Sequence, residues 1–211
     1  MVLLPNVLVS LLGLTAPAPE RPATPATPAV ERTTEEALYD RIGLEDLMDL
    51  PVFSDALHSL EAHGIIGGVL AIADMSRPST EPRLTVIDLG SGKVLLRTWV
   101  AHGQATGEMM AEHFSDREGS HQTSLGLYRV GPEIISPKHG PALLLHGLDR
   151  GINGHALERE IIMHGADYVS QAFINANGRL GRSWGCPAVP EEEMPRLIRL
   201  LADGGLLYVH A

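Results

Sequence analysis

One cysteine and one histidine lie close together along this chain, in surroundings that suit a nucleophile and its base. Cys186 is the single cysteine, and it stands between Gly185 and Pro187 in a glycine-rich stretch that indicates a loop. His164 lies 22 residues upstream, directly after the apolar run 161–163. A thiol on a turn, with a histidine at the end of a strand, is a common arrangement for a cysteine nucleophile.

Both residues also have ordinary structural interpretations. Many lone cysteines are inert, and a structural cysteine packs as a small hydrophobic residue inside a strand or helix. Cys186 lies among glycines instead, which favours the reactive interpretation. For His164 the alternative is a half-buried histidine that bonds to the backbone. The local sequence leaves both interpretations open.

The chemistry that this pair can perform is attack on a carbonyl carbon. The thiolate is the nucleophilic form of cysteine, and His164 can take the proton from Cys186. Gly165, directly after the histidine, leaves room for a substrate. A tetrahedral intermediate also needs donors for its oxyanion, and we expect these from the backbone N–H groups of Trp184, Gly185 and Cys186. The alternative for Gly185 is a plain turn residue.

Composition limits the classes of protein to which the chain can belong. It has 211 residues, of which 44% are hydrophobic and 20% charged, so it can bury a core and is not disordered overall. The formal net charge of −10 excludes a strongly basic surface, and we expect no nucleic-acid partner. A single cysteine excludes an internal disulfide.

The N-terminal region resembles an export signal followed by a spacer. Residues 1–16 are apolar and small residues follow, although no Lys or Arg precedes the run and Pro5 interrupts it. We expect an export segment over residues 1–18 and a location in the periplasm or cell envelope. There are two alternatives. The segment is an uncleaved anchor, which would be the only expected contact with a membrane, or the start codon is assigned at the wrong place. The Pro/Ala/Thr-rich residues 19–32 predict an extended linker.

The remaining sequence predicts a mainly β fold with peripheral helices. Residues 33–63 predict a helical extension, which Thr33 and Glu36 begin as a capping box and Gly43 interrupts. Residues 90–92 predict a hairpin turn. The predicted strands are 68–74, 83–89, 93–100, 125–130, 142–146, 161–164 and 206–210. Further helices are predicted over 168–177 and 191–202.

The chain has ten histidines, which raises the question of a metal site. Their spacing contains no His-x-His or His-Glu-x-x-His pattern, so we expect neither a metal nor another cofactor. His102 and His146 each precede a glycine near a predicted strand end. They are candidates to line the same cleft as His164 and bind substrate, with packing or turn roles as the alternatives.

At the cysteine and histidine the sequence resembles the L,D-transpeptidases of the YkuD type, and most closely the subfamily of murein L,D-transpeptidase catalytic domains. The family motif is a histidine, a short stretch, and then Ser/Thr-His-Gly-Cys. The matching residues are His164-Gly165 and Ser183-Trp184-Gly185-Cys186. The likeness extends over residues 64–211, through stretches such as VAHG and KHGPALLLHGLDRGIN. Trp184 replaces the histidine of the wider family, and Ser-x-Gly-Cys-Pro looks like the subfamily's own form.

The resemblance implies a β-sandwich or barrel catalytic domain over residues 64–211 and a role for each motif residue. Cys186 would attack the bond between the third stem residue and the terminal D-Ala of a peptidoglycan tetrapeptide, with His164 as base and then acid. The carbonyl of Gly165 would orient the imidazole ring. Ser183 and Arg182 would hold the loop or contact a substrate carboxylate, and a solvated surface arginine is the alternative for Arg182.

The implied reaction ends when an amine of a second stem peptide resolves the thioester and forms a 3→3 cross-link. Peptidoglycan stem peptides are therefore the expected partners. Two alternatives stay open at this point. With water as acceptor the protein is an L,D-carboxypeptidase or related peptidoglycan hydrolase, and without turnover it is a peptidoglycan-binding module.

Overall fold

The computed structural model describes residues 33–211. The predicted export segment and linker, residues 1–18 and 19–32, lie outside the described residues. No helix within 33–211 is long and apolar enough to cross a membrane.

Within residues 33–211, two helices precede the sheet, and the first begins at the predicted capping box and ends at the predicted glycine. Helix α1 (Thr34–Ile42) begins with the predicted capping box, in which the Thr33 hydroxyl accepts from the N–H of Glu36 and the Glu36 carboxylate accepts from the N–H of Thr33. It ends at Gly43, whose φ of 76° is the left-handed conformation that glycine adopts without strain. Helix α2 spans Leu50–Ala62.

The two helices share a hydrophobic core with the sheet that follows. Phe53 and Ala56 of α2 are fully buried and belong to the same cluster as Leu70, Ile72 and Leu127 of the strands. Burial of this kind, more than helix propensity, stabilises short helices. The helical extension therefore covers one face of the sheet.

In the described part of the chain, eight strands form a single sheet in the order β3-β2-β1-β8-β4-β5-β6-β7. The strands are β1 (Val69–Asp74), β2 (Leu84–Asp88), β3 (Lys93–Thr98), β4 (Gly126–Ser136), β5 (Gly140–Gly147), β6 (Ile162–Gly165), β7 (Ala188–Val189) and β8 (Leu206–His210). β2 and β3 form the predicted antiparallel hairpin. β8 lies between β1, to which it is parallel, and β4, to which it is antiparallel.

Both faces of the sheet are buried near its centre. In β1, Leu70 and Ile72 face α1 and α2, whereas Ala71 and Ala73 belong to a second cluster on the other face. This explains why β1 is a continuous apolar run instead of an alternating pattern. The second face is covered by helix α4 (Met194–Leu201), which follows a 3-10 turn at Glu191–Glu193.

Several elements differ from the sequence prediction. The helix predicted over 191–202 begins with the 3-10 turn, and α4 itself starts at Met194. β4 continues to Ser136, beyond the predicted end at 130, because a bulge between Val130 and Glu133 accommodates the glycine and proline that usually mark a turn. β7 was not predicted, since two residues carry no periodic pattern. Helix α3 spans Gln171–Asn177 and begins later than predicted, because the Ser170 hydroxyl caps it by accepting from the N–H of Phe173.

The two edges of the sheet approach each other, so the sheet is nearly closed. Ala101, just after β3, forms an antiparallel bridge with Ala188 of β7, and Gly103 forms a parallel bridge with Ser183. Closure of this kind satisfies the backbone groups of the edge strands. The predicted mainly β fold with peripheral helices is confirmed.

We expect Phe53→Ala to lower the free energy of unfolding by about 3–5 kcal/mol, because the ring is fully buried between α2 and the sheet. Denaturant unfolding followed by circular dichroism measures the change. Ile66→Ala is the matched control, since Ile66 is fully exposed and its removal creates no cavity. A separate early transition of the helices, with the sheet unchanged, would contradict a shared core.

Candidate active site

Backbone pairing between β6 and β7 brings the sequence-predicted histidine to the loop that carries the cysteine. His164 of β6 is in register with Ala188 of β7, two residues after Cys186. The His164 N–H also donates to the Pro187 carbonyl at 3.4 Å. The sheet thus joins two segments that are 22 residues apart along the chain.

His164 is held in one tautomer. Its ring is 1% exposed, and Nδ1–H donates to the Gly165 carbonyl at 2.9 Å, which leaves Nε2 as the acceptor of the neutral imidazole. The His139 ring stacks on it with a centroid distance of 3.7 Å. Burial, together with the positive groups of His139 and Lys138, lowers the pKa of His164 to about 4 despite the bond to Gly165. The ring is therefore neutral near pH 7.

Cys186 is partly buried, and its thiol faces a backbone carbonyl. The thiol lies 3.9 Å from the Glu160 carbonyl oxygen. Burial raises the pKa of the Cys186 thiol, while backbone N–H groups and the charges of Arg159 and Lys138 oppose the rise. Thiol and imidazole are therefore both neutral in the resting protein, and formation of the thiolate requires a proton transfer.

Ser183 closes the loop around the cysteine. Its hydroxyl donates to the Cys186 carbonyl at 2.5 Å and accepts from the Gly185 N–H at 3.1 Å. This second bond already uses the Gly185 N–H inside the loop, and the contact expected between this N–H and an oxyanion stays a prediction. The N–H groups of Trp184 and Cys186 remain candidates for that role.

Gly185 is required by its conformation and by its neighbours. Its φ is 128°, and a Cβ atom there would lie 2.8 Å from the Gln122 carbonyl oxygen. The Thr123 hydroxyl donates to the Gly185 carbonyl at 3.1 Å and accepts from the Gly103 N–H at 3.0 Å. The turn before the cysteine is therefore fixed by the segment that contains Gln122 and Thr123.

The exposed side chain of Trp184 lies between those of His121 and Lys138. It is 65% exposed, and the His121 ring stacks on it at 5.0 Å with an interplanar angle of 11°. The Lys138 ammonium lies 4.8 Å from the centroid of the indole. His121 and Lys138, from two segments distant in sequence, therefore both contact Trp184. Trp184 occupies the motif position at which the wider family has histidine.

Arg182 ties the nucleophile loop to residues 104–108. Its Nη1 donates to the carbonyls of Gln104 and Gly107, at 3.2 and 3.1 Å, and to Glu108 Oε1 at 2.6 Å. Glu108 also pairs with Arg179 at 3.0 Å. The structure favours the loop-holding interpretation of Arg182 over a solvated surface residue.

His102 is buried and bonded to its neighbours through both ring nitrogens, and its role in substrate binding stays a prediction. It is 1% exposed, Arg83 Nη2 donates to its Nδ1 at 2.7 Å, and its Nε2–H donates to the Gly107 carbonyl at 3.2 Å. Burial and the adjacent Arg83 lower the pKa of His102 to about 4. Because both ring nitrogens are bonded internally, the structure favours the packing alternative for His102.

His146 lies on the strand next to His164 but farther along it. His164 pairs with Ala142 of β5, and His146 is four residues beyond, a separation of about 13 Å at 3.3 Å per residue. The His146 ring lies over Gly131, at the β4 bulge, where a Cβ atom would be 2.7 Å from its Nε2. The structure does not bring His146 to the histidine and cysteine.

The comparison with known families agrees with this geometry. The family model for the L,D-transpeptidase catalytic domain matches residues 48–210. The chain belongs to this family. The resemblance drawn from the His-Gly and Ser-x-Gly-Cys motif is confirmed, and the match begins ahead of helix α2. No curated protein matches the chain.

The solved structures to which this chain is similar include L,D-transpeptidases. The enzyme from Mycobacterium smegmatis shares 15% identity with a TM-score of 0.42, over 69% of this chain and 59% of its own. L,D-transpeptidase 3 from Mycobacterium tuberculosis, in complex with a faropenem-derived adduct, has 14% sequence identity and a TM-score of 0.44, and the match covers 69% of this chain and 61% of that one. The L,D-transpeptidase from Stackebrandtia nassauensis has 14% sequence identity and a TM-score of 0.41, and the match covers 83% of this chain and 75% of that one. This chain spans about 59% of the length of the M. smegmatis protein.

In this L,D-transpeptidase domain several residues around the motif were not found from the sequence. They are His121, Thr123, Lys138, His139 and Arg159. All lie in segments that the sequence presents as polar loops, and no spacing pattern connects them to His164 or Cys186. Within residues 33–211, no group of three or more His, Cys, Asp or Glu side chains is placed to hold a metal ion.

We expect Gly185→Ala to slow the alkylation of Cys186 by iodoacetamide at least severalfold. A side chain at φ 128° is strained by about 1–3 kcal/mol, and its Cβ meets the Gln122 carbonyl. Intact-mass spectrometry follows the single thiol. Gly64→Ala is the matched control, because Gly64 also has a positive φ, 64°, but no atom lies within 4 Å of its Cβ position. Equal alkylation rates in the two variants would contradict the role assigned to the turn.

We expect His102→Gln to reduce the slope with which the free energy of unfolding falls between pH 6.5 and pH 4. Folded His102 has a pKa of about 4 and its ordinary value is 6.5, so in this window the unfolded chain binds one more proton and stability falls as pH falls. The slope should decrease by up to about 1.4 kcal/mol per pH unit. Urea unfolding at several pH values measures it. The exposed His113→Gln is the control, and equal slopes in both variants would contradict a buried neutral His102.

Proposed function

We propose that this domain is a cysteine-dependent peptidoglycan L,D-transpeptidase that releases D-Ala from tetrapeptide stems and forms 3→3 cross-links. The observation that carries the proposal is the pairing of β6 with β7, which sets His164, in a tautomer with a free Nε2, beside the loop of Cys186. Membership of the L,D-transpeptidase family supplies the substrate class.

The acylation step follows from the neutral state of the pair. As a stem peptide binds, His164 Nε2 takes the proton of the Cys186 thiol, and the sulfur attacks the carbonyl between the third residue and D-Ala. The bond between His164 Nδ1 and the Gly165 carbonyl stabilises the imidazolium that forms. His164 then gives the proton to the leaving amine. D-Ala departs, and a thioester to Cys186 remains.

The acceptor completes the reaction. An amine of a second stem peptide attacks the thioester carbonyl, loses a proton to His164 and returns the thiol to Cys186. The 3→3 cross-link forms and no redox change occurs. Through both steps the oxyanion is bound by the N–H groups of Trp184 and Cys186, since the Gly185 N–H is bonded to Ser183.

Residues 64–211 carry the reaction in this proposal, and residues 33–63 support the sheet from its other face. Cys186 packs against the hydrophobic cluster that includes α4, whereas α1 and α2 belong to the opposite cluster. Because peptidoglycan lies outside the cytoplasmic membrane, the proposal includes export to the periplasm or cell envelope, with stem peptides as partners and no nucleic acid.

The proposal is tested by incubating the full chain with purified disaccharide-tetrapeptide and separating products by mass spectrometry. We expect a cross-linked dimer and free D-Ala, and we expect Cys186→Ala to abolish both. His164→Asn should lower turnover by at least about 100-fold, because the base is lost. His58→Asn, at an exposed histidine of α2, is the matched control. EDTA should leave the rate unchanged.

Each other outcome selects an alternative. Tripeptide and D-Ala without dimer would replace the transpeptidase by an L,D-carboxypeptidase that uses water. Turnover that survives Cys186→Ala would overturn the cysteine mechanism. Binding of the tetrapeptide without turnover in the unmodified chain would mean a peptidoglycan-binding module.

A further inference from the structure

A buried arginine lies directly beside the turn that carries Cys186. The Arg159 side chain is 5% exposed, and its Nη2 lies 3.2 Å from the position that a Cβ atom would take on Gly185. The residue after it, Glu160, has a positive φ of 53° and presents its carbonyl to the Cys186 sulfur at 3.9 Å. Arg159 thus stands between the nucleophile turn and the start of the strand that bears His164.

Both ends of the guanidinium are bonded to a single segment of chain. Nη1 donates to the Ser115 carbonyl, Asp116 Oδ1 and the Ser124 hydroxyl, at 3.0, 3.3 and 3.0 Å. Nη2 donates to the Gln122 carbonyl at 2.7 Å and to the Ser120 hydroxyl at 3.4 Å. No regular secondary structure holds residues 115–124, so these bonds define its path.

The segment that Arg159 holds is the one that fixes the nucleophile turn. The Gln122 carbonyl lies 2.8 Å from the Cβ position of Gly185, and the Thr123 hydroxyl donates to the Gly185 carbonyl. A shift of this segment would therefore move Cys186. The link from Arg159 to the sulfur runs through Gln122 and Thr123.

The negative partner of Arg159 lies on only one side of its guanidinium group. Asp116, which neutralises it, is 8% exposed and bonds to Nη1, whereas Nη2 faces Gly185. Asp116 is itself bonded by His155, from Nδ1 at 2.9 Å and from the backbone N–H at 2.8 Å. The positive side of this buried ion pair therefore faces the turn where a thiolate forms.

We propose that Arg159 is a positioning residue for the nucleophile: it holds the Gly185–Cys186 turn through Gln122 and presents a buried positive charge to the thiolate. The inference rests on the proposed function only in that Cys186 is the reacting group. Other ionisable groups also face Cys186 or its histidine. They are Lys138 and His139 between β4 and β5, His164 of β6, and Tyr168 ahead of α3.

The test is the pH dependence of iodoacetamide alkylation at the single cysteine, measured by intact mass on the full chain. Arg159→Met should move the midpoint up by about one pH unit, so that alkylation below the midpoint is about tenfold slower. Arg159→Lys keeps the charge and should recover part of the shift. Asp116→Asn removes the neutralising charge and should move the midpoint down. Arg150→Met, at an exposed arginine of the same loop, is the matched control.

Opposite shifts for Arg159→Met and Asp116→Asn support the proposal, because a purely structural role would move both in the same direction. An unchanged midpoint in Arg159→Met with a lowered melting temperature would overturn it. If Arg159→Met does not fold, Asp116→Asn decides, and an unchanged or raised midpoint overturns the proposal. Since no peptidoglycan is used, failure of the cross-linking assay with shifts as expected would overturn the proposed substrate and leave the role of Arg159 intact.

Discussion

The geometry of the site depends on a two-residue strand that is paired on both sides. β7 bonds to β6 on one side and to Ala101 on the other, so the backbone just after Cys186 belongs to the wall of a nearly closed sheet. The residues before the cysteine are held by the backbone bridge between Gly103 and Ser183 and by the hydroxyl groups of Ser183 and Thr123. A turn held at both ends has little freedom left to lose when a reaction begins, which is how pre-organisation lowers a barrier.

Buried arginines replace secondary structure in the long segment 99–125. That segment contains no helix and forms only two single bridges, so its carbonyl groups need other partners. Arg83, 1% exposed, donates to the Val100 and Arg77 carbonyls as well as to His102, and Arg159 holds the other end of the segment. Polar groups are buried at low cost when they are bonded in this way. The irregular wall of the site is thereby as well defined as the sheet.

Sequence patterns located seven of the eight strands of residues 33–211, the capping box of α1 and the His-Gly and Ser-x-Gly-Cys motif, because each depends on neighbouring residues. The capping box of α1 and the apolar run of β1 are local signals, and the pairing of His164 with the cysteine loop followed from the family motif. What could not be predicted depends on contacts between distant segments. The ring nitrogens of His102 are bonded to Arg83 and Gly107, and nothing in the sequence around His102 announces either partner. The same holds for Thr123 and Arg159, which act on a turn about 60 and 30 residues away along the chain.

The position of β8 has a consequence for how the chain folds. Its residues, 206–210, come after all other strands, yet it lies in the middle of the sheet between β1 and β4. Before it is added, the β1–β3 part and the β4–β7 part are joined by strand pairing only at two single bridges, Ala101–Ala188 and Gly103–Ser183. Sheet formation must then wait for contacts of long sequence separation, which are slow to form. During synthesis the two central strand pairs of the sheet, β1 with β8 and β8 with β4, cannot form until residues 206–210 have left the ribosome.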